Sequence, residues 1–183
     1  MYFDVTVAGF GGQGVMAVGN MLAYAAIAEG MNVTYWPSYG AEMRGGTANC
    51  IVVISDEEIG SPIVGKPENL IMMNPPSLTK FLPKLRQNGF LLYNSSLCDS
   101  KLVARSDIRV LAVPVIALAK EAGNDRLGNM VALGAFLQRT NVVSIDSVIG
   151  AMEGVLAQRH HKLIPLNTRV IRKGFDYAQS HGG

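Results

Sequence analysis

Short apolar runs alternate with stretches of helical spacing along most of the chain. Residues 5–8 form a strand-like run that ends in a cluster of glycines. Met16, Met21, Leu22, Ala25 and Ala26 then recur at helical spacing. Residues 31–36 predict a second strand, stopped by Pro37, and the β-branched run 47–55 a third. Residues 56–58 are a polar turn and 59–64 predict a short extended return. The pair 47–55 and 59–64 is therefore expected as a hairpin-like excursion. Residues 69–73 predict a buried strand stopped by Asn74-Pro75-Pro76. Asn74 or Ser77 is placed to cap a helix carrying Leu78, Phe81, Leu82 and Leu85 on one face, with Gly89 as its stop.

Strands at 90–93 and 108–113 follow, the second closed by Pro114, with a polar surface loop at 94–100 between them. A short helix spans 115–122, and Asn129 is in position to cap an apolar helix over 130–137. Ser144 or Asp146 opens a helix to about residue 158. A last amphipathic helix, from 167 to about 180, aligns Val170, Ile171, Phe175 and Ala178. Strands alternating with helices predict an α/β fold, doubly wound and Rossmann-like. Its sheet is expected to be mostly parallel, with helices on both faces. No repeat or linker divides the chain, so residues 1–183 are expected as one domain.

Composition narrows the function. A hydrophobic fraction of 49% against 16% charged residues suits a well-filled core or a chain with extra surface to bury against other subunits. A net charge of +2 leaves no broad basic footprint, so no nucleic-acid partner is expected. No apolar run approaches the roughly 20 residues of a membrane span, and residues 1–4 carry no basic leader segment. Cys50 and Cys98 are too few for a disulfide scaffold and too few for an iron–sulfur cluster held by this chain alone. A cytoplasmic protein with no membrane association is the expectation.

The glycine cluster carries the first candidate site. Gly9, Gly11, Gly12 and Gly14, with Gln13, lie between a strand and a helix N-terminus, where free backbone N–H groups and the helix dipole can meet an anion. The spacing satisfies the G-x-G-x-x-G string, but the acidic residue that would hold a ribose at the end of the second strand is missing. That absence counts against bound NAD or FAD. Two readings remain: a phosphate cradle, or a turn that only packs the first helix on its strand.

Residues 37–46 carry the second candidate. Tyr39, Glu42 and Arg44 are framed by glycines, including Gly45 and Gly46, in a segment too rich in glycine and proline to continue a strand. Arg44 suits an anionic ligand or a carboxylate, and the glycines allow close backbone approach. The competing reading is a solvated loop with a local ion pair. Both segments follow predicted strands, at the edge where α/β sheets place ligands.

Nothing in the chain composes a catalytic centre or metal site. His160 and His161 are adjacent at a helix end, lacking the i, i+4 spacing of a chelating pair, and His181 lies in a terminal tail. Cys50 falls in a strand and is expected to be buried; Cys98 falls in a loop and is expected to be exposed, without an activating neighbour. No G-x-S-x-G elbow or P-loop motif is present.

At these residues the chain resembles the gamma subunit of 2-oxoacid:ferredoxin oxidoreductases. GFGGQG, PSYGAEMRGGTANC, VVISDEEIGSPIV and NMVALGA carry the resemblance, which runs from Val5 to about Phe175. The S-Y-G-x-E-M-R-G-G loop most resembles the 2-oxoglutarate type. Pyruvate, 2-oxoisovalerate and indolepyruvate types are the alternatives. The resemblance implies a multisubunit enzyme with alpha, beta and delta partners. These hold thiamine diphosphate, magnesium and iron–sulfur clusters, take CoA as substrate, and pass electrons to ferredoxin. This chain would then hold no cofactor and no catalytic residue. Gly9, Gly11, Gly12, Gln13, Gly14, Tyr39, Glu42, Arg44, Gly45 and Gly46 would form its CoA-side or docking face. In isolation a homodimer is among the expected states of the chain, and a stand-alone nucleotide-binding regulator and a self-sufficient oxidoreductase stand as competing expectations.

Overall fold

A computed structural model of the protein describes residues 1–39 and 47–181. Six strands form one mixed sheet in the order β2-β3-β1-β4-β5-β6. They are β1 (Tyr2–Phe10), β2 (Asn32–Tyr39), β3 (Thr47–Ser55), β4 (Asn69–Met72), β5 (Phe90–Asn94) and β6 (Arg109–Val113). β1, β4, β5 and β6 are parallel. β3 runs against both of its neighbours, β1 and β2.

The predicted hairpin is therefore displaced. Residues 59–64 form no strand, because Gly60 and Pro62 interrupt the run and proline supplies no N–H for a ladder. The antiparallel ribbon is instead β2 with β3. The nine-residue β-branched run of β3 sits inside the sheet, with a neighbour on each side to satisfy its backbone.

Helices α1 (Val15–Ala28), α3 (Val115–Glu121), α4 (Gly128–Thr140), α5 (Ile145–Val155) and α6 (Ile164–Ser180) share one large core. It includes Val5, Val7, Val52, Ile54, Ile71, Leu92 and Val113 of the sheet. Helix α2 (Pro75–Phe81) covers the other side, with Leu78 and Phe81 against Ala8, Leu70, Met72 and Leu91. Helices thus lie on both faces, as expected, but five against one. At the α4–α6 crossing a side chain on Gly134 would collide with the Ile171 carbonyl, and one on Gly174 with that of Val131. These two glycines let the helix backbones touch.

Helix ends follow local chemistry. Asn74 Oδ1 accepts the Ser77 N–H at 2.8 Å, and Ser144 Oγ accepts that of Ser147 at 3.0 Å, so both proposed caps form. The α2 segment is shorter than predicted and passes into a 3-10 turn at Leu82–Lys84 containing Pro83. A second such turn, Gln158–Leu163, holds His160 and His161, so α5 ends earlier and α6 begins earlier than the periodicity suggests.

Asn129 does not cap α4. It lies inside the first turn, where its Nδ2 donates to the Gly14 carbonyl at 3.2 Å. Cys98, expected to be exposed, is 4% exposed, because its loop folds back under α2 with the amide of Cys98 bonded to the Asn94 carbonyl at 2.9 Å.

Candidate functional site

The carboxyl end of β1 opens into the glycine turn. The Gln13 N–H donates to the Phe10 carbonyl at 3.1 Å, while Gly12 (φ 95°) and Gly14 (φ 72°) adopt the left-handed region, where a Cβ is strained. Gly14 is the N-cap of α1. Among the described residues no side chain caps this helix, and its first turn holds no acidic residue. The orphan N–H groups of that turn and the positive helix end remain available to an anion.

Four neutral amides brace the turn. The Gln13 Oε1 accepts the Phe10 N–H at 2.7 Å, and its Nε2 donates to the Met73 carbonyl at 3.2 Å. Asn74 Nδ2 donates to Gln13 Oε1 at 3.4 Å. Asn94 Nδ2 donates to the same Met73 carbonyl at 3.1 Å, and Asn129 ties the start of α4 to Gly14. Gln13 is thus a positioning residue that joins the ends of β1 and β4. Gly9 is needed for space: a Cβ there would come within 2.6 Å of Gln13 Oε1 and 2.9 Å of Met73 Cβ. Gly11 and Gly12 are exposed, with none of the described residues within 4 Å of an added Cβ.

Beside the turn lies a cavity of about 240 Å³, lined by Gly12, Gln13, Asn94, Ile116, Arg126 and Asn129 among others. It sits at the β1–β4 boundary, where the chain's direction of winding reverses, the usual ligand crevice of an open α/β sheet. Arg126 is exposed on its rim and enters none of the ion pairs among the described residues. Arg126, Asn94 and Ile116 were not legible as site residues, because they come from three segments with no motif of their own. The crevice combines a helix N-terminus, the Arg126 guanidinium, the neighbouring Asp125 carboxylate and apolar wall. The helix start and the guanidinium suit an anionic group with an organic body.

The predicted second segment is only partly covered by the described residues. Tyr39 is 73% exposed at the end of β2, opposite Ala48, which in turn faces Gly9 across β3. It shares the sheet edge of the glycine turn but stands two strands away, on the side opposite the cavity. Thr47, across from Phe10, lies at the same edge. Glu42, Arg44, Gly45 and Gly46 fall outside the described residues.

Burial pushes the Cys50 thiol up to about 12 and the Cys98 thiol up to about 11, so neither is a thiolate at neutral pH. Cys50 packs on the α1 side of the sheet and Cys98 on the α2 side, so the pair does not fit an iron–sulfur cluster. His161 bonds to the Leu156 carbonyl and His181 stacks on Tyr177, both by local contacts. Among the described residues no group of three or more metal-ligating side chains comes together, and no helix is long and apolar enough to cross a membrane.

With this geometry in place, comparison with known proteins identifies the family. Residues 4–177 match the family described as pyruvate ferredoxin/flavodoxin oxidoreductase. The ketoisovalerate oxidoreductase subunit VorA of Methanothermobacter marburgensis is 37% identical over 97% of this chain, which spans only 37% of that protein's length. The 2-oxoglutarate synthase subunit KorC of the same organism is 35% identical over 82% of this chain and 84% of its own. The gamma subunit of a keto/oxoacid ferredoxin oxidoreductase from Geobacter sulfurreducens superposes with a TM-score of 0.79 at 30% identity, covering 97% of this chain and 99% of the other. Matched along nearly its whole length in sequence and in fold, the chain belongs to the pyruvate ferredoxin/flavodoxin oxidoreductase family, as a domain of the gamma-subunit type.

Proposed function

We propose that this chain works as the gamma subunit of a cytoplasmic enzyme that oxidatively decarboxylates a 2-oxoacid, forms an acyl-CoA and reduces ferredoxin. Partner subunits of alpha, beta and delta type would carry thiamine diphosphate, magnesium and the iron–sulfur clusters. In this reading the chain supplies no reacting group. Its part is to hold an anionic portion of CoA at the N-terminus of α1, with Gly11 and Gly12 allowing close approach and Arg126 adding positive charge. Tyr39, Glu42, Arg44, Gly45 and Gly46 would extend that face along the sheet edge. The observation that carries this reading is the helix start, uncapped among the described residues, beside an open crevice with Arg126 on its rim.

For the 2-oxoacid, 2-oxoglutarate is the first reading, supported by the S-Y-G-x-E-M-R-G-G segment and the likeness to KorC. A branched-chain 2-oxoacid is the second, favoured by the likeness to VorA. Purification of the native assembly under anaerobic conditions, followed by CoA-dependent dye reduction with each acid, decides between them. In the same assembly Gly12→Val and Arg44→Ala should raise the KM for CoA with little change in kcat. An unchanged CoA KM in both variants, with assembly intact, would sink the CoA-side assignment.

A further inference from the structure

The end of the sheet away from the glycine turn carries charge that changes sign from one half to the other. On the β3 side, the turn after Ser55 holds Asp56, Glu57 and Glu58, all exposed. Asp56 is paired with the amino group of Met1, whereas Glu57 and Glu58 enter none of the ion pairs among the described residues. On the β4–β6 side, a hollow of about 490 Å³ is lined by Lys66, Lys84, Arg86 and Arg105. Glu68 and Asp107 hold the two arginines, and Lys66 and Lys84 enter none of the described ion pairs.

The start of β1 stands between the two halves. Tyr2 faces Ser55 across the β1–β3 ladder, and β4 begins only level with Val5, so Tyr2 projects beyond it. The connection from β3 to β4 passes this same end, because those two strands flank β1. Tyr2 is 51% exposed, and Ile63 of that connection is 65% exposed. Three strand spacings separate β3 from β5, roughly 14 Å at about 4.8 Å each. That exceeds the Debye length of about 8 Å at physiological salt, so the two halves do not neutralise each other within one copy.

We propose that this end face binds a second copy of the chain across a two-fold axis that passes near Tyr2. A face acidic on one half and basic on the other is complementary to itself. The axis brings Glu57 and Glu58 of one copy to Lys66 and Lys84 of the other, and the same contact forms twice. Tyr2 and Ile63 supply the apolar centre and the charges its rim. Exposed apolar residues alone are ordinary; the opposed charges select the occupant. A wholly acidic partner would match the basic half and meet Glu57 and Glu58 as like charges. The contact lies opposite the crevice, so both crevices stay open at the outer ends of the pair. It holds whatever the crevice binds.

Sedimentation equilibrium of the full chain provides the test. The unaltered chain should dimerise in about 50 mM salt, with a dissociation constant at least tenfold higher in about 500 mM salt. Lys66→Glu with Lys84→Glu, and separately Glu57→Lys with Glu58→Lys, should each give a monomer, because like charges then face each other. Mixed in equal amounts, the two variants should pair again, since both contacts regain opposite signs. Arg159→Glu with Lys162→Glu, the same change of charge on a distant turn, should leave the dimer intact, and Tyr2→Ala should weaken it at least tenfold. A parent that stays monomeric up to about 100 µM, where even a weak specific pair forms, would overturn the proposal. So would a dimer that both charge-reversed variants retain, or variants with the parent's circular dichroism that fail to pair when mixed. Should either variant lose that circular dichroism, a parent dimer indifferent to both salt and Tyr2→Ala would overturn it instead.

Discussion

The two ends of the parallel strands are built from different chemistry. At the carboxyl end the bracing groups are amides, Gln13, Asn74, Asn94 and Asn129, which pair with backbone and with each other. At the amino end they are charges. Glu68 pairs with Arg86, Arg105 holds Asp107 at 2.6 Å, and the Arg105 guanidinium also donates to the Leu82 and Leu85 carbonyls. Asp4, 1% exposed, accepts the Glu68 N–H at 2.8 Å. An amide can donate and accept at once, so it satisfies strand ends without adding a field of its own. The electrostatics of the crevice are left to the helix start, Arg126 and Asp125. The charged end is largely self-compensating, although its hollow of about 490 Å³ is lined by Lys66, Lys84, Arg86 and Arg105. One end stays open to an anion; the other clamps its loops.

The strongest way to break this division is Gly14→Ala. The new Cβ meets the Asn129 amide in a backbone with φ of 72°, so strain and overlap act together. A loss of about 3 kcal/mol is expected by denaturant unfolding. A loss below about 1 kcal/mol would mean that the turn relaxes freely and is not braced.

Asp4→Asn tests the charged end, and its sign can be worked out. Burial raises the Asp4 carboxyl to about 6, with the Glu68 N–H opposing and the nearby Glu68 charge adding to the rise. The ionised form is the one disfavoured in the folded state. The stabilising contribution is therefore present below the unfolded pKa near 4 and is lost as pH rises through about 6. Asn keeps the oxygen acceptor and carries no charge. The variant should match the parent at pH 4 and exceed it by roughly 2 kcal/mol at pH 8. A constant difference across that range would contradict it.

Gln13→Ala removes the partner of the Phe10 N–H and one donor to the Met73 carbonyl, both near solvent. A loss of about 1 kcal/mol is expected, with faster amide exchange at Phe10 as the local signature. The smallest effect belongs to Gly11→Ala. Its Cβ meets none of the described residues within 4 Å and its φ is not in the left-handed region, so stability should move by less than about 0.5 kcal/mol. Any change in the CoA KM of the assembly would then be a contact effect rather than a folding effect.

Much of the fold was legible because its signals are local. The glycine turn, the Asn74 and Ser144 caps and the six strand runs rest on residues within a few positions of one another. The same locality explains the misplaced hairpin. Residues 59–64 look extended by side-chain type, yet pairing depends on which strand the β3 run reaches. The candidate site was half legible. Gly9, Gly11, Gly12, Gln13 and Gly14 announce themselves by spacing, whereas Arg126, Asn94 and Ile116 come from separate segments. The spacing also did not reveal that Gln13 turns its side chain inward, because that is set by the Met73 carbonyl sixty residues away.

By itself, the sequence determined the six strand runs, the helical segments and the caps at Asn74 and Ser144, since each depends on neighbours along the chain. Only the tertiary structure decided that β3 enters between β1 and β2 and that Cys50 and Cys98 lie on opposite sides of the sheet. It likewise decided that Asn129 meets Gly14 across a separation of 115 residues, and that Trp36 stands half exposed on β2. Those outcomes are set by register and packing, where a shift of one residue turns every side chain of a strand to the other face.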